Sequence, residues 1–516
     1  MVLLVLENGA CSTKAGIVDH PTALEPRIVT NAVVRSKGDK ATYVGHEFDR
    51  CKDYSSLSYR LPLEKGYVVD WDAQKAVWDG ILSEEVLNVN PTESTVLITE
   101  PYFNLPKIQE VYDEFIFEEY EFSSQYRAPP ASLIPHGSLF NHPGLPTPEC
   151  MLIVDSGFSF THVVPLMEGK IVWHAVKRLD VGGKLLTNQL KELVSFRQWN
   201  MMEETYIMNH VKETCCFVSQ NFGEDLERSR KSPKDNPIVQ EYVLPDLTKS
   251  NAGRIRQPED IPLDGDQVLT MGNERFSVPE LIFHPDDIGL EQSGLPATIA
   301  ASIALLPDDL QGMFYANIGL IGGNTKFPGF RERLLSELAA LAPVGCDVVI
   351  YQSPTDPALS AYHAAIGLAS NPDFQVHVAL TRAEYMENGT SAVRRKFPGW
   401  QQYQYKQQQQ QQPRRTQEAP VKAAVKEKQK AAAGSGAGGK AKGKGKQREE
   451  GSSKKATASA SATSKTTNTA AATAATAPAS SNNAKAASGS DSGPSTRTRS
   501  GARRLTPVVE VPPRTW

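Results

Sequence analysis

Val2-Leu3-Leu4-Val5-Leu6-Glu7-Asn8-Gly9 and Met151-Leu152-Ile153-Val154-Asp155-Ser156-Gly157 follow one pattern, about 150 residues apart. Each is an apolar run of the length of a buried strand that delivers a carboxylate to its C-terminal end and then turns at a glycine. Glycine lets the backbone approach an anion with no Cβ in the way, so successive N–H groups can converge on a phosphate. One such turn says little, because many strands end in an acid and a glycine. Two of them facing each other can hold a magnesium nucleotide from both sides.

Outward from these turns, the chain divides by composition. Its 516 residues exceed one ordinary core, which predicts two or more domains. From Gln401 onward there are 21 Lys and Arg against 6 Asp and Glu, a net of about +15; the rest carries 34 against 53, about −19. An acidic globular body therefore precedes a basic tail. The opening MVLLVLENG is too short for a membrane span, lacks a basic leader and runs straight into a turn, so it reads as a core strand. Cys11, Cys51, Cys150, Cys215, Cys216 and Cys346 are scattered, with no spacing suited to chelation. Reduced thiols in a cytosolic or nuclear compartment are expected, and no structural zinc.

Short apolar runs alternate with amphipathic segments from Val2 to about Pro146, including a buried strand at Thr95-Val96-Leu97-Ile98. From Pro148 the same grammar restarts, with a helix around Gly183 to Phe196. A strand at Ile318 to Ile321 then ends at Gly322-Gly323, before a helix with Phe330, Leu334, Leu338 and Leu341 on one face. Repeated strand-turn-helix units predict an α/β fold. The expected divisions are 1–146, 147–359, a return segment 360–400 and a low-complexity tail 401–516. The polar stretch LTKSNAGRIRQPEDIPLDG between Asp246 and Asp266 is expected to be a surface loop. The tail, a glutamine run followed by Gly/Lys and Ala/Ser/Thr tracts, has too few large apolar residues to offset chain entropy and is expected to be disordered. Its lysines suit either a sequence-independent contact with a nucleic-acid backbone or an import or solubilising role.

The stretches ENGACSTKAG, YVGHEF, RLPLEKGYVVDWD, VLITEP, DSGFSFTHVVP, GNERFSVPELIF and LIGGNTKFPGF stand in the order found in actin and its relatives. From Val2 to about Phe397 the chain resembles that family. RLDVGGKLLTNQLKELVSFRQWN and the segment Met202 to Glu213 resemble a nuclear branch of it, a class of subunit found in chromatin remodellers that exchange a variant core histone of the two-A type. The resemblance implies an actin-like fold of two duplicated domains around a nucleotide cleft, with the chain returning to the first domain near Ser360.

It also implies a site for ATP or ADP with Mg²⁺. In the first turn, Asn8, Gly9 and Lys14 match phosphate contacts, and Glu7 stands where the family has aspartate near the metal. Ala10 and Cys11 replace a hydroxyl and a glycine, which should weaken the grip. The second turn keeps Asp155, a second metal-side carboxylate, with Ser156, Gly157 and His162, but has Phe158 in place of a second aspartate. Counted from Phe117-Glu118-Glu119-Tyr120, the family's water-orienting glutamine falls at Pro130. An aromatic ring and a proline cannot hold an attacking water, so no catalytic residue is expected. Lys212 and Glu213 match the ribose and adenine contacts, and Gly322 and Gly323, with Asn324 and Thr325, the adenine loop. Without the resemblance, Lys212 and Glu213 read as an exposed helix face, and the two glycines as a strand-to-helix turn.

The segment Thr30 to Thr42 is shorter and more polar than actin's equivalent loop and lacks its apolar tip, so no filament is expected. At the chain return, Ala361-Tyr362-His363-Ala364-Ala365 replaces a tryptophan and paired glycines, which reads as repacking of a helix start. The expectation is a non-catalytic scaffold in the nucleus, present also in the cytoplasm. Its implied partners are the subunits of a chromatin-remodelling complex including its ATPase, with histones and the nucleosome, and DNA through the tail. The alternatives are a slow ATPase of the same fold and a cytoskeletal filament protein.

Overall fold

Val2–Asn8 forms a strand buried from Leu3 onward, and its neighbours explain why an apolar run is needed there. It pairs antiparallel with Ser12–Ile17, to which the Gly9 turn returns it, and parallel with Ser94–Thr99, whose six residues are all buried. The sheet continues through Ser124–Ala128 on one side and Arg27–Thr30 on the other. This is a computed structural model of the chain; it describes residues 2–400, except 143, 145, 232–235, 247–252, 258, 261–264, 375–377 and 398. The tail expected from Gln401 lies outside the described residues.

Cys150–Ser156 repeats the design of the opening strand. It pairs antiparallel with Thr161–Met167 across the Gly157 turn, and parallel with Ile318–Ile321, which in turn lies parallel to Ile350–Gln352. A strand end carrying an acid and a glycine therefore appears at corresponding places in two mixed sheets, each covered by helices, which is the α/β architecture the pattern predicts. The helix Ser360–Ala369 packs against the opening strand, and the following Leu380–Thr381 joins the first sheet beside Ser124–Ala128.

Tyr362 explains the altered sequence at that helix. A Cβ on Gly16 would lie 2.0 Å from the Tyr362 hydroxyl, so the ring fills space that only a glycine leaves, and the hydroxyl donates to the Ala23 carbonyl at 2.7 Å. Ala364 and Ala365 are buried beneath it.

Three local expectations are corrected. The segment Thr30 to Thr42 is no loop: Val33–Ser36 and Ala41–Val44 pair as a hairpin, joined by Leu57–Arg60 in a three-stranded sheet. Its tight turn is fixed by Asp39, whose carboxylate accepts from the Tyr43 hydroxyl and the Lys52 N–H, both at 2.8 Å. Part of the insertion is likewise ordered by pairing, since Arg254–Ile255 adds a strand to Gln240–Val243, itself paired with Val268–Met271; residues 247–252, 258 and 261–264 of it lie outside the described residues. In the helix Phe330–Leu341, Phe330, Leu334 and Leu338 are buried, but Leu341 at its end is 48% exposed.

Candidate functional site

The two glycine turns open onto one cavity of about 600 Å³, within the range of small-molecule and cofactor sites. Glu7, Gly9, Lys14, Asp155, Gly157, Lys212, Glu213, Gly322 and Gly323 all line it, so residues spread over some 300 positions converge as the resemblance implies. Pro130 and Phe158 line it as well.

The floor is charged. Lys14 Nζ lies 2.6 Å from Glu7 Oε2. Burial pulls the ammonium down, but the Glu7 carboxylate more than offsets this and holds it above its usual range. Lys14 is thus a fixed cation between the two turns. Asp155 accepts from the Tyr102 hydroxyl at 2.8 Å, and that hydroxyl accepts the Ala131 N–H at 3.0 Å. Burial pushes the Asp155 carboxyl up to about 6, with Glu7 adding to it and the Tyr102 hydrogen bond and Lys14 opposing. His162, whose ring lies tilted against Tyr102 with centroids 4.5 Å apart, is pushed down to about 3 by burial and by Arg178, so its ring is neutral at physiological pH.

Two predicted contacts have other duties. Ser156 is fully buried and does not line the cavity: its hydroxyl lies 2.8 Å from Thr161 Oγ1 and accepts from Asn324 Nδ2 at 3.1 Å. Asn8 borders the cavity, but its side chain is spent on a buried network, donating to Gln74 at 3.2 Å and Tyr112 at 3.3 Å and accepting from Thr13 at 3.1 Å. Both act by fixing the turns. The turn glycines also differ from the simplest expectation. Gly9 N–H donates to the Glu7 carbonyl at 3.2 Å and Gly157 N–H to the Phe160 carbonyl at 3.0 Å, so their own amides are engaged within the turns.

On the opposite wall, Lys212 is buried rather than part of an exposed face. Its ammonium donates to the Gly183 carbonyl at 3.2 Å, Thr187 at 3.0 Å and Asn209 at 2.8 Å, and burial holds it below its usual range. Glu213, the next residue, is exposed to the cavity. Gly322 sits at φ +92°, where a Cβ would come 2.3 Å from the Ser156 carbonyl oxygen; the position needs glycine for the close approach of the two strand ends. Nothing lies within 4 Å of a Cβ built on Gly323, so that side of the loop is open to a ligand.

This donor set fits a magnesium nucleotide. Lys14 and the glycine turns would face the phosphates, and Gly323 with Glu213 the nucleoside. Glu7 and Asp155 would meet Mg²⁺, whose remaining ligands are commonly phosphate and water. Among the described residues no group of three or more His, Cys, Asp or Glu side chains is placed to hold a metal ion. Sequence reasoning missed Tyr102. Its signal was its place after Glu100-Pro101, just past the buried strand Ser94–Thr99, where side chains face the cleft.

Asp155 yields a prediction. A carboxyl whose pKa rises from 3.8 to about 6 on folding contributes stability that is fully present below pH 4 and lost as pH rises through about 6. Asp155→Asn keeps an acceptor for Tyr102 and removes the buried charge. It is expected to stabilise the ligand-free protein at pH 7 by about 1–2 kcal/mol in thermal denaturation, and to abolish Mg²⁺-dependent tightening of nucleotide binding.

Comparison with known proteins agrees with the geometry. The family model described as Actin matches residues 2–398. The actin-like protein ARP6 of Cryptococcus neoformans is 50% identical over 418 residues, covering 77% of this chain and 84% of that protein. Actin-related protein 6 of Drosophila melanogaster is 36% identical over 399 residues, 76% of this chain and 99% of its own length. Actin-related protein 6 of Oryza sativa is 35% identical over 428 residues, 77% and 98%.

Proposed function

The chain belongs to the actin family, and from that premise we propose that it is a non-catalytic scaffold subunit of a nuclear chromatin-remodelling complex that exchanges a variant core histone of the two-A type. The observation that carries this reading is a cleft that keeps the residues for holding a nucleotide while Pro130 and Phe158 line it where the family orients water. Similarity to actin-related proteins 6 along most of the chain supports the choice of branch. In this reading ATP or ADP with Mg²⁺ is a structural ligand: it binds the folded chain only and stabilises it by mass action. The partners are the ATPase and other subunits of the complex, and histones in the nucleosome. The basic tail supplies a DNA contact.

A filament is the rival, and sedimentation tests the two. The purified full chain in Mg²⁺, ATP and salt should stay in the supernatant as a monomer; robust pelleting of filaments would overturn the reading. The ordered hairpin at Thr30 to Thr42, with its polar turn Lys37-Gly38-Asp39-Lys40, supports the first outcome.

Trp400, the last described residue, packs on Phe103 and donates to the Asn104 carbonyl at 3.0 Å. Deletion of 401–516 is therefore expected to leave thermal stability and nucleotide occupancy unchanged, within about 0.5 kcal/mol. The same deletion should weaken DNA binding and flatten its salt dependence. A collapse in stability would place the end of the folded body further along the chain.

A further inference from the structure

At one end of the cavity the strand Ile318–Ile321 opens into the one-turn helix Gly323–Lys326, which meets the turn Pro357–Leu359 at the start of Ser360–Ala369. Much of the backbone here is spent on holding the two turns together. Gly322 N–H donates to the Pro357 carbonyl at 3.1 Å, Leu359 N–H to the Asp356 carbonyl at 3.0 Å and Phe327 N–H to the Asn324 carbonyl at 3.2 Å. The Thr325 carbonyl accepts from Gln352 at 2.9 Å, and Pro357 has no N–H to give. The Asn324 side chain is engaged as well, donating to Ser156 at 3.1 Å and to the Gly157 carbonyl at 2.8 Å.

What these turns present to a ligand is a pair of charged side chains. Lys326 and Asp356 line the cavity beside the open Gly323 and lie 3.1 Å apart, Nζ to Oδ2. Asp356 Oδ1 accepts the Ala358 N–H at 2.8 Å, so Oδ2 is the oxygen that can turn to a ligand. The ammonium has two further N–H donors and Oδ2 a further lone pair, so the pair offers a donor and an acceptor side by side at the nucleoside end of the cleft. We infer that Lys326 and Asp356 read the base of the bound nucleotide and admit guanine as well as adenine, an inference that rests on the cleft holding a nucleotide. Adenine gives its 6-amino group to Asp356 and takes a proton donor from Lys326 at N1. Guanine takes the Lys326 donor at O6 and gives its N1–H to Asp356. Strong rejection of one purine requires buried polar groups that the wrong base leaves unpaired. Here the Lys326 and Asp356 side chains are 53% and 31% exposed, so water satisfies whatever either base leaves over.

The test is calorimetric titration of the full chain, cleared of bound nucleotide, with ATP and with GTP in Mg²⁺. The natural chain should bind GTP within about threefold of ATP. Asp356→Asn keeps an oxygen for the Ala358 N–H and turns the other acceptor into a donor, which opposes the guanine N1–H but suits the adenine N1. It should weaken GTP about tenfold while ATP stays within about threefold, so that the ratio of the two affinities moves. A change that merely loosened the turn would weaken both alike. Preference of the natural chain for ATP by about a hundredfold or more overturns the inference, as does an Asp356→Asn effect that is equal for the two nucleotides or absent. In those cases the cleft still holds a nucleotide and that reading stands. Binding of neither nucleotide to the natural chain refutes the nucleotide reading itself, and this inference falls with it.

Discussion

Purified full-length chain is expected to bind adenine nucleotide and to release phosphate no faster than a blank. Ground-state binding needs a cation, close approach to the backbone and a metal-side carboxylate, and the cavity has Lys14, the turns at Gly9 and Gly157, the open Gly323 and Asp155 for these. Hydrolysis further needs a water held in line with the terminal phosphate. Pro130 opens a short helix with no N–H to offer, and Phe158 presents a ring that accepts no such hydrogen bond. The polar group nearest Pro130 in sequence terms, the Ala131 N–H, is given to Tyr102, and the single Tyr102 proton is given to Asp155. His162, kept neutral by burial, carries no positive charge toward the phosphates. Loss of water positioning costs several powers of ten in rate, about 4 kcal/mol of barrier or more. Single-turnover phosphate release, with Asp155→Ala as control, checks this: release at actin-like rates that the control abolishes would make the protein a slow ATPase.

Arg127→Ala is expected to lower stability by about 3–5 kcal/mol, the largest effect of any single substitution foreseen for the folded body. Arg127 is 4% exposed; it pairs with Asp113, lies 3.3 Å from Glu100 through Nε, and donates to the Gln109 carbonyl at 3.1 Å. Burial pushes Asp113 up to about 6, and Arg127 opposes the shift. Removing the guanidinium leaves two buried carboxylates without their cation. Asp113, whose upward shift Arg127 opposes, should then take up a proton still more readily on folding, and a carboxyl with a raised folded pKa loses stability as pH rises through that value. The deficit of the variant in urea denaturation should therefore be larger at pH 7 than at pH 5. Because Glu100 also lines the cavity, nucleotide affinity should fall with it.

Some of this was legible in the sequence because it is local. The strands Val2–Asn8 and Cys150–Ser156 announce themselves by apolar runs, and their glycine turns by the residue type that φ and close approach demand. Gly322 illustrates the point: its positive φ and the 2.3 Å a Cβ would leave to Ser156 make glycine a structural requirement. What was hidden depends on residues far apart. Lys212 reads as an exposed charge in a helix, yet its ammonium donates to the Gly183 carbonyl, 29 residues away, and is buried. Ser156 and Asn8 match phosphate contacts by position, but partners up to 168 residues away claim their hydrogen bonds. The strand Arg254–Ile255 is too short to show an alternation, and only pairing with Gln240–Val243 defines it.

The most direct measurement of the central claim is native purification of the tagged full-length chain from nuclei, with identification of the proteins that travel with it through size fractionation. The account predicts a large assembly containing a remodelling ATPase and core histones, with this chain in fixed proportion to the ATPase. Recovery of the chain as a free monomer, as a polymer of itself, or with tubulin or membrane factors in place of the ATPase and histones would contradict it.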